Sequence, residues 1–256
     1  MQSLKGKKYV ILGIANERSI GYGILKSLLD QGADVALTYM NEAIEKRVRP
    51  IAQELGIETV LQCDVQDDAQ IANLASELKS RWGTVDGVVH SVAYADRNDL
   101  AGAFYSTTRE GFKLALDVSA FSLVALSAAF RPLMEEKGGS IITLSYYGAE
   151  KVVPKYNVMG VAKAALEASV RYLAYDLGSS NIRVNAISAG PIKTLAASGI
   201  SEFRTMLSMA AEKAPLKRNV TLEDVGKTAL YLLSDMSSGL TGEVMHIDCG
   251  YSIMGM

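Results

Sequence analysis

Tyr9-Val-Ile-Leu-Gly13-Ile-Ala-Asn-Glu-Arg-Ser-Ile-Gly21 joins a short strand-forming run to a helical stripe through a glycine. Gly13 lets the chain turn sharply off the strand. Apolar residues at 20, 24, 25, 28 and 29 then mark a helix over Ile20–Gln31. A helix that begins this way leaves backbone N–H groups and the positive dipole end free at Ser19 and Ile20, where a pyrophosphate can be held. Gly21 allows close approach of helix and sheet. The spacing is not G-x-G-x-x-G, so the physical requirements carry the reading rather than the motif.

The same alternation runs outward along the chain. Strand-like runs recur at Tyr9–Gly13, Val35–Tyr39, Thr59–Gln62, Val85–Ser91, Ser140–Ser145, Ile182–Ser188 and Glu243–Asp248. Helical patterns lie between them at Glu42–Leu55, Asp68–Trp82, Thr108–Lys137 and Tyr156–Leu177, with Gly178 suited to a left-handed cap and Thr221 to an N-cap. Seven strands alternating with helices predict an α/β, doubly wound Rossmann fold, a parallel sheet covered on both faces. No linker divides the chain, so residues 1–256 read as one domain. An apolar, small-residue insert over about 190–213 follows the sixth strand, with Gly190 and Gly199 as hinges. Ligands of open α/β sheets sit beyond the carboxyl ends of the strands, so the insert reads as a flap over a ligand.

Composition narrows the function classes. Of 256 residues, 49% are hydrophobic and 21% charged, ordinary for a soluble globular protein, and the formal net charge is −2. No global field draws nucleic acid or an anionic membrane. Lys5, Lys7 and Lys8 precede Tyr9–Leu12 as in a signal peptide, but that run is too short and Gly13 ends it. No run approaches the roughly eighteen apolar residues of a membrane span. Cys63 and Cys249 lie far apart without metal-ligand spacing, so no metal is expected and a cytoplasmic location is. His90 and His246 sit in apolar strand-like runs and read as structural imidazoles.

The chemistry concentrates between Tyr146 and Lys163. Helical residues turn by about 100°, so Tyr156 and Lys163 come within about 20° of one face, about 10.5 Å apart along the axis. Helical side chains lean toward the N-terminus, which brings the Lys163 stem back toward Tyr156. A phenol gives up its proton near pH 10, and a neighbouring ammonium favours the phenolate. Such a pair suits proton donation to a carbonyl or enolate oxygen.

Other residues would hold a dinucleotide. Asp64, in Cys63-Asp64-Val65 after the third strand, can accept from an adenine amine. His90-Ser-Val92-Ala-Tyr-Ala95 ends the fourth strand with small residues that admit the ring system. Ile192, Lys193, Thr194, Leu195 and Ala196 would face the nicotinamide, and Lys163 its ribose. The second strand ends in Tyr39-Met40-Asn41-Glu42, without the usual ribose-binding acid and without a cation for a 2′-phosphate. NADH is therefore expected over NADPH.

Together these segments resemble the divergent branch of the short-chain dehydrogenase/reductase family that contains the bacterial enoyl-acyl-carrier-protein reductases. The resemblance rests on Gly13-Ile-Ala-Asn with Arg18-Ser-Ile20, His90-Ser-Val-Ala, Thr108-Arg-Glu-Gly-Phe112, Tyr156-Asn-Val-Met-Gly-Val-Ala-Lys163, Arg183–Ile192 and Ala214-Pro-Leu-Lys-Arg-Asn219. Ordinary members use Tyr-x3-Lys; here Gly160 stands four after Tyr156, and the x6 spacing marks the enoyl reductases. The resemblance implies reduction of the trans-2 double bond of an enoyl thioester on acyl carrier protein, in fatty-acid synthesis, by a homotetramer. Tyr156 would donate to the enolate oxygen, and Tyr146 would shape the pocket or relay a proton. Ala95, Tyr146, Tyr156, Met159, Ile200, Phe203 and Met206 would line the acyl channel, with Arg204 near its portal for an acidic carrier. A ketoacyl or other carbonyl reductase, and an NAD(H)-binding protein without turnover, are the alternatives.

Overall fold

The structure, a computed structural model, describes residues 3–195 and 203–255. The strands are β1 (Lys8–Leu12), β2 (Asp34–Tyr39), β3 (Thr59–Gln62), β4 (Gly87–His90), β5 (Gly139–Ser145), β6 (Ile182–Ala189) and β7 (Val244–Ile247). They form one parallel sheet in the order β3-β2-β1-β4-β5-β6-β7, the expected doubly wound arrangement. The helices are α1 (Ile20–Leu29), α2 (Glu42–Glu54), α3 (Asp68–Trp82), α4 (Arg97–Leu100), α5 (Arg109–Leu116), α6 (Ser122–Met134), α7 (Asn157–Gly178), α8 (Phe203–Lys213) and α9 (Leu222–Leu233).

Side chains of a strand alternate between faces, and here the alternation builds two cores. Tyr9 and Ile11 of β1 join Leu37, Ile142 and Ile187 in one, packed under Ile24 and Leu28 of α1, Val48 of α2 and Val225 of α9. Val10 and Leu12 join Ala36, Ile141 and Val184 in the other, under Leu74 and Leu78 of α3, Leu126 and Phe130 of α6 and Val170 of α7. Two glycines bring α1 and α9 together: a Cβ at Gly23 would lie 2.5 Å from the Leu222 carbonyl oxygen, and one at Gly226 2.5 Å from that of Gly23. Strand order reverses between β1 and β4, which opens a crevice at their carboxyl ends.

The structure departs from the sequence reading in four places. The helix expected over Thr108–Lys137 is broken by a π-helical turn at Asp117–Phe121, between α5 and α6. That turn buries Ser119, whose hydroxyl donates to the Tyr94 carbonyl oxygen at 3.1 Å and accepts from the Tyr94 N–H at 3.0 Å. The short helix α4 has no apolar period long enough to read. Gly178 is not left-handed; Asn181, at φ 55, makes that turn instead. Finally, the Arg109–Met134 run is long and apolar enough to cross a membrane, against the expectation; it passes that test because Leu123, Leu126, Phe130 and Leu133 supply core.

Candidate active site

β5 delivers Ser145 to the rim of the crevice, and Tyr146 follows it in an extended conformation. Tyr156 stands at the N-cap of α7, its ring edge-on to that of Tyr146 with centroids 5.0 Å apart. The backbone around Tyr156 is unusual: Lys155 has φ 67 and Asn157 φ 38, in the left-handed region. Such strain persists only where surroundings over-determine it. Asn157 is fixed by its side-chain amide, which donates to the carbonyl oxygens of Leu100 at 3.1 Å and Gly102 at 3.3 Å. The Tyr156 ring lies against Gly148, where a Cβ would come within 2.5 Å of it. The ring is thus held between the turn after β5 and the anchored start of α7.

Tyr156 and Lys163 are both buried, and both belong to the start of α7, but they are not a hydrogen-bonded pair. Lys163 Nζ donates to the Leu144 carbonyl oxygen at 2.6 Å. Burial pushes its ammonium down to about 8, opposed by the Glu167 carboxylate. The Tyr156 phenol is pushed up, first by burial and then by Tyr146 and Glu167. The expectation that the ammonium would make Tyr156 more acidic is therefore corrected. Desolvation of the phenolate outweighs any help from Lys163, and Tyr156 remains a neutral hydroxyl donor. Its hydroxyl has no hydrogen-bond partner among the described residues. Tyr146 is likewise pushed up to about 12 by burial, with Tyr251 adding.

Gly160 explains the long spacing between tyrosine and lysine. A Cβ there would sit 2.8 Å from the Gly148 carbonyl oxygen, so this position packs against the turn after β5. A lysine four residues after Tyr156 would have to push that turn away.

His90 is structural, as expected. It is fully buried, with Nδ1 2.7 Å from Thr143 Oγ1 and Nε2 2.8 Å from Ser122 Oγ. Ser122 spends its own proton on the Val118 carbonyl oxygen, so His90 donates from Nε2 and accepts at Nδ1. Burial, with the Lys163 charge, pushes the imidazole down to about 3 and keeps it neutral. His246 pairs with Glu150 at 2.7 Å.

The residues expected to hold a dinucleotide gather along the same rim. Gly13 has φ 93, and a Cβ there would lie 1.9 Å from the Ser91 carbonyl oxygen, so only glycine lets the turns after β1 and β4 touch. Ser19 does not cap α1; its hydroxyl accepts instead from the N–H groups of Ala15 at 3.0 Å and Asn16 at 3.2 Å. The first turn of α1 thus has neither a side-chain cap nor an acidic residue, whereas α2, α3, α5 and α9 have both. An uncapped, acid-free helix start fits a pyrophosphate. Asp64 is half-buried and accepts from the Gln66 N–H at 3.1 Å, Val65 and Val92 pack on the core, and Ile192 packs beneath the segment that carries Lys193, Thr194 and Leu195. Met40 is exposed at the tip of β2; nearby Arg49 is paired with Glu45 at 2.6 Å and stacked over the Tyr39 ring.

Ala95, Tyr156 and Met159 meet in one small apolar cluster with Ala115, Val158 and Ala162, flanked by Tyr146, Leu100 and Leu116. Met206 reaches it from α8: the Tyr146 hydroxyl lies 3.4 Å from its sulfur. Ala196 and Ile200 lie outside the described residues, as do the side chains of Phe203 and Arg204.

Residues 13–252 match the family described as enoyl-(acyl carrier protein) reductase. The chain belongs to that family. It is 56% identical over 253 residues to enoyl-[acyl-carrier-protein] reductase [NADH] 1 of Rhizobium meliloti, covering 99% of this chain and 93% of that one. The crystal structure of the Anaplasma phagocytophilum reductase in complex with NAD superposes with a TM-score of 0.96 at 52% identity, covering 100% of this chain and 98% of that one. The Bacillus cereus enoyl-acyl carrier protein reductase, crystallised with NADP+ and an indole naphthyridinone, gives 0.97 at 50% identity and full coverage of both chains.

Within this enoyl reductase, three neighbours of the crevice escaped sequence reading. Asn157 and Leu100 meet only through tertiary structure, and no local pattern announces them. Glu167 did carry a signal: it lies four residues after Lys163 on the same helical face.

Proposed function

We propose that this protein reduces the trans-2 double bond of enoyl thioesters carried on acyl carrier protein, with NADH as reductant. One arrangement carries the reading. The Tyr156 hydroxyl, without a hydrogen-bond partner among the described residues, sits in an apolar cluster with Tyr146, Ala95 and Met159 on the rim that holds the uncapped start of α1. When bound, NADH supplies hydride to the β-carbon of the substrate. This chain's residues do the rest. Tyr156 donates a hydrogen bond to the thioester oxygen as negative charge spreads onto it, and its raised proton affinity keeps it a donor at neutral pH. Lys163 holds the reductant's ribose from a buried position anchored on Leu144. The apolar cluster excludes water from the charge that develops.

The cofactor residues are Gly13, Ser19, Ile20, Met40, Asp64, Val65, Val92 and Ile192–Ala196, and the acyl channel runs past Met159 and Met206 under α8. The segment at about 190–213 acts as the flap, and Arg204 meets the acidic carrier. Residues 1–256 act as one domain. Exposed Phe112, Phe121, Tyr172 and Tyr175 on α5 to α7 support assembly as a homotetramer. Two free cysteines fit a reducing cytoplasm. Loss of NADH absorbance with crotonyl thioester tests the function. Turnover with acetoacetyl thioester instead would point to a ketoacyl reductase, and turnover with neither to a binding protein.

A further inference from the structure

Two successive residues at the end of β5 are each held by α7. The Leu144 carbonyl oxygen accepts from Lys163 Nζ at 2.6 Å, and the Ser145 hydroxyl donates to Glu167 Oε1. Lys163 and Glu167 are four residues apart, so they stand one above the other on one helical face. Tyr146 follows directly on Ser145. The clamp therefore ties the segment carrying one crevice tyrosine to the helix carrying the other and the lysine. Glu167 is buried, which a carboxylate tolerates only with partners.

We propose that Glu167 is a positioning residue for the reduction. Through Ser145 it sets the end of β5 against α7, and its charge holds the Lys163 ammonium in its buried place. The proposal rests on the reading of Lys163 as part of the reductase site. The groups that bear on Glu167 come from every side. Lys163 and Arg171 lie on α7, Ser145 on β5, Glu150 in the turn after β5 and His246 on β7; Glu167 in turn bears on Tyr156. Burial and Glu150 work against its charge; Ser145, His246 and Arg171 favour it. Of these, Lys163 and Ser145 form the buried clamp. Without the carboxylate, nothing among these groups opposes the desolvation of Lys163, whose ammonium then titrates lower.

The test is E167Q, which keeps the size and the hydrogen-bonding capacity but removes the charge. In lysine-labelled protein without cofactor, the Lys163 Nζ resonance, assigned by its loss in K163R, is followed against pH. The expected result is a midpoint lower than that of the unchanged protein by about one pH unit, with thermal stability little altered. E167D, which restores a carboxylate, returns the midpoint toward its original value. The alkaline limb of kcat/KM for crotonyl thioester moves with it, while kcat at pH 7 falls more than the KM for NADH rises. An unchanged Lys163 midpoint in E167Q overturns the proposal. Should E167Q not fold, S145A carries the test, because it strips the carboxylate of a hydrogen bond that favours its charge; a Lys163 midpoint unmoved by S145A contradicts the proposal equally. The resonance reports without turnover, so inactivity of the unchanged protein would count against the proposed function and leave this result standing.

Discussion

Lys163 Nζ sits 2.6 Å from the carbonyl oxygen of Leu144, turned to the end of β5 rather than to the hydroxyl of Tyr156. The two groups that the helical spacing brings to one face are held by different parts of the protein. Tyr156 is fixed by Gly148, Tyr146 and the strained start of α7, and Lys163 by β5 and Glu167. Each can be perturbed separately.

The pH dependence follows from Lys163. Its folded midpoint of about 8 lies below the ordinary 10.5, so the ammonium is intact at neutral pH and lost above about 8. Log kcat/KM for crotonyl thioester should be flat near neutrality and fall beyond that point. Stability carries the opposite sign: between about 8 and 10.5 the unfolded chain binds the extra proton, so this group adds stability as pH rises across that window. A pH–rate profile and urea unfolding at matched pH check the two together.

Gly13→Ala should destroy the junction between the turns after β1 and β4. The new Cβ would meet the Ser91 carbonyl oxygen at 1.9 Å from a backbone at φ 93, a clash no rotamer relieves. We expect a loss of about 3 kcal/mol or more, or failure to fold, read by chemical denaturation. A stability within about 0.5 kcal/mol of the original would contradict the geometry.

Gly160→Ala tests the origin of the long tyrosine-to-lysine spacing. Its methyl group would lie 2.8 Å from the Gly148 carbonyl oxygen, so α7 must shift from the turn that supports Tyr156. Overpacking of this kind costs about 1–3 kcal/mol, and turnover should fall along with the melting temperature. Unchanged kcat would remove the Gly148 contact from the account.

Most of the fold was legible because short strand-like runs and helical stripes alternate from Tyr9 to Ile247, apart from the insert at about 190–213. The alternation predicts a sheet covered on both faces, and the structure fills those faces with two cores, Ile11 in one and Val10 in the other. What escaped was tertiary in origin. The π-turn at Asp117–Phe121 follows from Ser119 clasping the Tyr94 backbone, and no helical pattern records that contact. The Tyr156–Lys163 geometry differs from the spacing-based expectation for a related reason. Helical phase places two side chains on a face, but the burial of both groups and the competing Leu144 carbonyl decide where the ammonium goes. Ser19 does stand at the helix start, yet its hydroxyl serves the loop, leaving the helix N–H groups open.

On the proposed function, cofactor choice is set at the tip of β2. Met40 offers no charge, and Arg49 is engaged by Glu45 and the Tyr39 ring. Met40→Arg should raise kcat/KM for NADPH by about tenfold, the size of one charge-assisted contact, with little gain for NADH. A KM for NADPH already below that for NADH in the unchanged protein would contradict the assignment.

The proposed role of the Tyr156 hydroxyl is to stabilise the oxygen on which charge develops. Single-turnover oxidation of saturating NADH by crotonyl thioester, compared between Tyr156→Phe and the unchanged protein, tests it most directly. A rate lower by about 10²–10³-fold at equal NADH affinity is expected. Equal rates would show that the hydroxyl takes no part.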